Sequence, residues 1–127
     1  MRFMMMVKAT KESEAGLPPD PRLMEAIAKL SEAEAQEGKL IESGGLAPSA
    51  TGARVRVSGG KVSVIDGPFA EAKELVGGYA IMELPSREAA IEAGRNFMQL
   101  HRDVLGPEYE GELEIRQLFT AADLAHV

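Results

Sequence analysis

The chain has 127 residues, about one domain on the usual scale of roughly 100–200 residues. Twenty acidic and fourteen basic side chains leave a formal net charge of −6, and there is no cysteine or tryptophan. Without cysteine there is no disulfide framework, thiolate nucleophile, iron–sulfur cluster or cysteine-based zinc site. An acidic chain also lacks the basic footprint that neutralises phosphates, so no nucleic-acid partner is expected.

Met1-Arg2 precedes an apolar run, Phe3 to Val7, that Lys8 ends after five residues. A secretory signal needs about 7–15 apolar residues and a membrane-spanning helix about 20, so the expectation is a cytoplasmic protein with no membrane contact. The same run reads as a strand covered on both faces, its Met4-Met5-Met6 suited to adaptable core or interface packing. Glu12 to Pro19, with Gly16 and Pro18-Pro19, reads as a loop. Asp20-Pro21 then combines an N-cap acid with proline at the first helical position. Leu23, Ile27, Leu30 and Ala33 continue at helical spacing towards a Gly38 cap. Ser31 with Glu34 also has the form of a capping box, so Asp20 to Glu37 is one helix or two in sequence.

Lys39 to Leu46 reads as a strand, and Ala47 to Gly52 as a small-residue loop. Ala53 to Ser58 and Lys61 to Asp66 are joined by Gly59-Gly60, a two-residue hairpin signal. Pairing Ser58 with Lys61 sets Val57 opposite Val62 and Val55 opposite Val64, so one face is all valine and is expected to be buried. The other face carries Arg54, Arg56 and Lys61, and no acid occurs between Ser43 and Ile65. That face is either simply solvated or a local site for an anionic ligand or an acidic partner.

Gly77 to Leu84 is a further strand. Pro85-Ser86 opens a helix that runs towards Leu105 and stops at Gly106-Pro107, and Glu112 to Phe119 is the last strand. The order β-α-β, hairpin, β-α-β predicts an α+β fold: a ferredoxin-like sandwich with an inserted β-hairpin and both helices on one face of an antiparallel sheet. Phe3 to Val7 and Gly77 to Leu84 would be its central strands, apolar on both faces. Two helices cover one face only, so a second copy of the chain is expected on the other, the two sheets stacked in a homodimer.

The densest run of unusual residues is Asp66 to Glu74, followed by Gly77-Gly78-Tyr79. Asp-Gly-Pro ends a strand in a tight turn, and the aspartate can cap backbone N–H groups that follow. By alternation Asp66 shares the face of Val62 and Val64, so its carboxylate is expected to be hydrogen-bonded or perturbed. The segment reads DGPFAEAKE, and on it the chain resembles the DGPF (DGPFAETKE) proteins of the YCII-related superfamily, departing only at Ala72. The preceding strand, the Gly77-Gly78-Tyr79 strand and Glu114-Ile115-Arg116 also fit, so the likeness covers nearly the whole chain. The resemblance implies a dimeric α/β-barrel of two ferredoxin-like units, a small-molecule cleft, and a possible extracytoplasmic-function sigma factor as partner. It also implies a histidine–aspartate pair with the histidine on the first helix, but Asp20 to Glu37 has no histidine.

The remaining candidate is His101. On a helical wheel it lies near the centre of the apolar half of the second helix, beside Gly94, which is expected to leave space in front of it. An imidazole aimed at the sheet can act as general acid or base, and its plain alternative is a buried histidine bonded to a carbonyl. His126, in the C-terminal tail, carries little weight. The catalytic candidates are therefore His101 and Asp66. The ligand-binding candidates are Tyr79, Phe69, Glu71, Lys73, Arg54 and Arg56, with interface packing as the other role for Tyr79 and a solvated turn for Glu71 and Lys73. No phosphate loop, dinucleotide fingerprint, HExxH or GxSxG occurs, and neither a metal nor a cofactor is expected. The leading function is a cofactor-free small-molecule enzyme in which His101 moves a proton in a cleft between helices and sheet and Asp66 orients it. The other is a non-catalytic small-molecule-binding or regulatory protein associated with a sigma factor.

Overall fold

A computed structural model describes residues 1–125; His126 lies outside the described residues. Strand β1 (Arg2–Lys8) leads into a one-turn helix, α1 (Lys11–Glu14), which overlaps the start of the Glu12 to Pro19 stretch expected to be loop. Thr10 and Ser13 form a capping box around that turn, which needs no apolar periodicity. Helix α2 (Pro21–Gln36) is a single helix. Asp20 accepts a 2.8 Å hydrogen bond from the Arg22 N–H at its start, and Ser31 sits in its interior rather than at a cap. Then come β2 (Leu40–Gly45), β3 (Ala53–Ser58), β4 (Lys61–Asp66), β5 (Val76–Glu83), α3 (Arg87–Leu105), β6 (Leu113–Leu118) and a last turn, α4 (Ala121–Leu124). Ser86 caps α3 by accepting the Ala89 N–H at 3.1 Å, and Gly106, at φ +102°, ends it in a conformation that favours glycine.

Four strands form an antiparallel sheet in the order β2-β5-β1-β6, with β1 and β5 in the middle. Along β1, Phe3, Met5 and Val7 alternate with Met4 and Met6, so two apolar faces are presented by one strand. The first set faces the helices: Phe3, Met5, Met82, Leu84 and Ala90 form the buried core, with Leu113 and Ile115 packed against it. Burying a side chain of that size contributes roughly 1.5–3 kcal/mol, so this small core is the main hydrophobic anchor of α3. Helix α3 approaches β6 through Gly94. A Cβ there would lie 2.8 Å from Leu113 Cδ2 and 2.9 Å from Ile115 Cδ1. Glycine at this position lets α3 sit close to β6, and Gly94 and His101 both line the cleft described below.

Helix α2 is different. Of its sixteen residues Leu23 alone is buried. It spans the same sheet face while standing off from it, and the gap becomes the cleft described below.

Strands β3 and β4 form a separate two-stranded sheet. Their register is Val57 opposite Val62 and Val55 opposite Val64, which the Gly59-Gly60 turn requires. The valine face is not buried within the chain: Val55, Val57, Val62 and Val64 are 66–72% exposed. The hairpin projects from the sandwich as an arm with no layer to pack against among the described residues.

Candidate functional site

The arm is rooted in the Asp66-Gly67-Pro68-Phe69 turn, which folds against the Ser49–Thr51 turn. The Gly67 N–H donates to the Gly52 carbonyl at 3.0 Å, and the Phe69 N–H donates to Ser49 Oγ at 3.0 Å. A Cβ at residue 67 would collide with the Ser49 carbonyl, so only glycine allows this approach. The Ser49 hydroxyl in turn donates to the Glu14 carboxylate, which also accepts the Ser49 N–H at 2.9 Å. Those bonds, the hydroxyl's first, hold the Glu14 carboxyl below its ordinary value of 4.5. The Arg54 guanidinium stacks on the Phe69 ring at 3.8 Å, a cation–π contact at the base of the arm.

This arrangement corrects the reading of Asp66. It lies at the end of β4 opposite Ala53, is exposed, and makes no side-chain hydrogen bond among the described residues. The capping role expected of it belongs to Ser49, which lies seventeen residues earlier and gave no signal in a composition-based reading. Glu71 and Lys73 are exposed beside the short turn Ala72–Glu74, and Arg56 is exposed on β3. Arg54 and Phe69 meet each other, but none of these residues reaches His101.

His101 is the polar side chain of the core, 5% exposed. Its Nδ1 lies 2.8 Å from the Phe97 carbonyl oxygen one turn earlier in α3. A carbonyl only accepts, so in the neutral ring Nδ1 carries the proton and Nε2 holds the lone pair. No buried side-chain nitrogen or oxygen lacks a partner among the described residues. Nε2 has no protein partner there, so it must open onto the space that His101 lines. Two rings frame the imidazole: Phe97 edge-on with centroids 4.6 Å apart, and Tyr109 tilted at 5.6 Å.

That space is a cleft of about 1160 Å³ between α2, α3 and the helix-facing side of the sheet. Its floor and walls are chiefly apolar, with Met5, Leu23, Ile27, Met82, Phe97 and Leu113 among them. A largely apolar concavity with few convergent polar groups is the usual form of a small-molecule site. Tyr109, in the loop after α3, closes the His101 end and was not singled out from sequence. Burial pushes its phenol up, so it stays a neutral hydroxyl. It folds directly over Gly111, where any Cβ would collide with the ring. The Tyr109 and Gly111 pair in a polar loop was the missed signal. Tyr79 borders the cleft, while strand alternation sends its ring to the opposite face, across Gly44, whose Cβ would lie 3.0 Å from it.

Asp66 does not line this cleft, so within one chain His101 and Asp66 share no cavity. Among the described residues no group of three or more histidine, aspartate or glutamate side chains is placed to hold a metal, and no helix is long and apolar enough to cross a membrane.

The chain is similar to an uncharacterized protein, R00369, of Rhizobium meliloti (strain 1021), 29% identical over 99 residues that span 78% of this chain and 75% of the other. In structure it is similar to 5-chloro-2-hydroxyhydroquinone dehydrochlorinase (TftG) from Burkholderia phenoliruptrix AC1100, solved in complex with 2,5-dihydroxybenzoquinone. That likeness has a TM-score of 0.48 at 15% identity and covers 96% of this chain and 97% of that one. The family model of the YCII-related domain matches residues 1–99, and the chain therefore belongs to the YCII-related family.

Proposed function

We propose that this chain is a small-molecule enzyme of the DGPF branch of YCII-related proteins, acting by proton transfer at His101. The observation that carries this reading is the fixed tautomer: Nδ1 is tied to the Phe97 carbonyl at 2.8 Å, and Nε2 opens onto an apolar cleft. A lone pair held in one direction, beside space for a ligand, is what a general base requires. A C–H or O–H acid activated by a neighbouring carbonyl gives its proton to Nε2, and the electron pair stays on the ligand as an enolate. The imidazolium returns the proton to the same or an adjacent atom, which completes an exchange or isomerisation. The neutral Tyr109 hydroxyl borders the same end of the cleft, and the apolar walls give the body of a ligand a surface to pack on.

In this reading a second copy completes a dimeric α/β-barrel from two ferredoxin-like sheets. The face carrying Met4, Met6, Tyr79 and Ile81 points away from the helices, and the valine arm lacks a cover. Charge favours the same occupant. The segment from Ser43 to Ile65 carries three positive charges and no acid, so the rest of the chain carries −9 of the net −6.

The function is tested by incubating wild type and His101→Gln with small carbonyl acids in D2O and following deuterium incorporation by NMR. Wild type should exchange a ligand proton at least roughly a hundredfold faster than the variant, the usual scale of general-base catalysis. Equal rates with both proteins would remove His101 from the mechanism. A ligand that binds wild type without exchange would make the cleft a binding site instead.

A further inference from the structure

The Asp66–Phe69 turn is joined to the cleft through a single hydroxyl, that of Ser49. Ser49 Oγ accepts the Phe69 N–H at 3.0 Å and donates to the Glu14 carboxylate, whose other oxygen accepts the Ser49 N–H at 2.9 Å. A hydroxyl that accepts and donates at once is polarised in both bonds, and bonds to a carboxylate are the stronger kind. Every other side-chain hydrogen bond among the described residues, ion pairs apart, joins positions no more than four apart in sequence.

Glu14 belongs to the connection between β1 and α2. That connection leaves the sheet, which floors the cleft, and reaches the helix that walls it, so it must cross one end of the space. The end it crosses is the one that holds His101. Val7 pairs with Leu113, and the Lys8 N–H donates to the Glu112 carbonyl at 3.0 Å, so the connection starts where β6 begins. Helix α3 ends at Leu105, just past His101, and its loop leads into that same end of β6. Thr10, Ser13, Gly16 and Leu17 accordingly line the cleft together with His101 and Tyr109.

Little else holds this connection down. Lys11 to Pro19 is exposed except at Glu14, and α1 has no buried residue. Its backbone bonds are internal, such as the Gly16 N–H to Ser13 and the Leu17 N–H to Glu12. Among the described residues no ion pair reaches it. A segment with few buried contacts and one anchoring pair opens by losing that pair.

We propose that Thr10 to Pro19 form a strap over the His101 end of the cleft, and that Glu14 on Ser49 is its catch, seated on the Asp66–Phe69 turn. The turn then serves the site without touching it: Gly67 lets the Ser49 carbonyl approach, and the Phe69 N–H orients the Ser49 hydroxyl. This rests on His101 being the reactive group of the cleft, and it adds how access to that group is controlled.

The test reads access to the imidazole. Wild type, Glu14→Ala and Ser49→Ala are treated with diethyl pyrocarbonate, which acylates a proton-free imidazole nitrogen, and His101 is followed by peptide mass spectrometry. Amide exchange is measured on the same proteins. Both variants should acylate His101 roughly tenfold faster than wild type, the scale of losing a hydrogen bond to a charged group. Exchange should rise from Glu14 to Leu17 and stay as in wild type along β1 and β5. Lys11→Ala, on the strap but outside the catch, should acylate at the wild-type rate. Equal His101 rates in all four proteins, with faster strap exchange in the two catch variants, would overturn the strap as a gate and leave His101 standing. Unchanged strap exchange would overturn the catch. Faster exchange along β1 and β5 as well would make the acceleration a general loosening and overturn it too. A His101 that stays unreactive in every protein would contradict an open Nε2, and the reading of the site would fall with the strap.

Discussion

At Gly67 the fit is set by backbone, not side chain: a Cβ would strike the Ser49 carbonyl, which a rotamer change cannot relieve. Gly67→Ala should therefore lower stability by about 1–3 kcal/mol, the usual range for overpacking. It should also raise amide exchange at Gly67 and Phe69, whose N–H groups bond the neighbouring turn. Unchanged denaturant midpoints would contradict that packing. Ser49 gives a prediction with a pH sign. Its hydroxyl and N–H hold the folded Glu14 carboxyl below its unfolded value, so the bond favours the ionised, folded form. That contribution is fully present above the unfolded value and is lost as pH falls through the depressed folded one. Wild type should lose stability on acidification, and Ser49→Ala should lose less of it, measured as melting temperature against pH. Parallel curves for the two proteins would remove Glu14–Ser49 as a source of acid sensitivity.

At the level of elements, α3 is anchored closely and α2 is not, and the cleft exists because of that difference. The anchor is testable at Gly94, whose Cβ would press on the ends of Leu113 and Ile115 at 2.8 and 2.9 Å. Gly94→Ala sets helix propensity, a gain of up to about 1 kcal/mol, against that crowding. Because both neighbours belong to the packed core, crowding should win, with a net loss on chemical denaturation; a stabilised variant would show that the helix and sheet yield there. The elements were readable where local chemistry decides them: the Asp20-Pro21 start of α2, the Gly106 stop of α3, and the hairpin register set by Gly59-Gly60. The four-residue α1 was not, because its capping box lacks a hydrophobic repeat. Candidate-site residues split along the same line. His101 stood out as a polar residue on an apolar helical face. Tyr109 and Ser49 act through contacts that helical or strand periodicity does not encode, and Asp66 was misplaced because a valine face was equated with burial inside one chain.

For the whole molecule, the exposed valines are the feature that a single chain leaves without a physical account, with four of them 66–72% exposed on one strand pair. A second copy covering them would make the protein dimeric in solution, and light scattering after gel filtration reads that directly. Val57→Lys with Val62→Lys, on an arm that contributes nothing to the buried core, should leave the far-ultraviolet circular dichroism unchanged and shift the protein towards monomer. A monomeric wild type would contradict the dimer, and an undisturbed dimer in the variant would place its interface elsewhere. The cleft and its histidine stand apart from that question, since the lining and the Phe97 bond both lie within one chain. The central claim is that His101 presents a proton-free Nε2 to this cleft, and long-range proton–nitrogen NMR of the imidazole, at a pH where the ring is neutral, tests it most directly. The predicted spectrum has Nδ1 as the protonated nitrogen and Nε2 as the deshielded, proton-free one, with Nε2 moving when a ligand enters the cleft. A ring protonated at Nε2 instead, or an Nε2 signal that no cleft ligand moves, would contradict it.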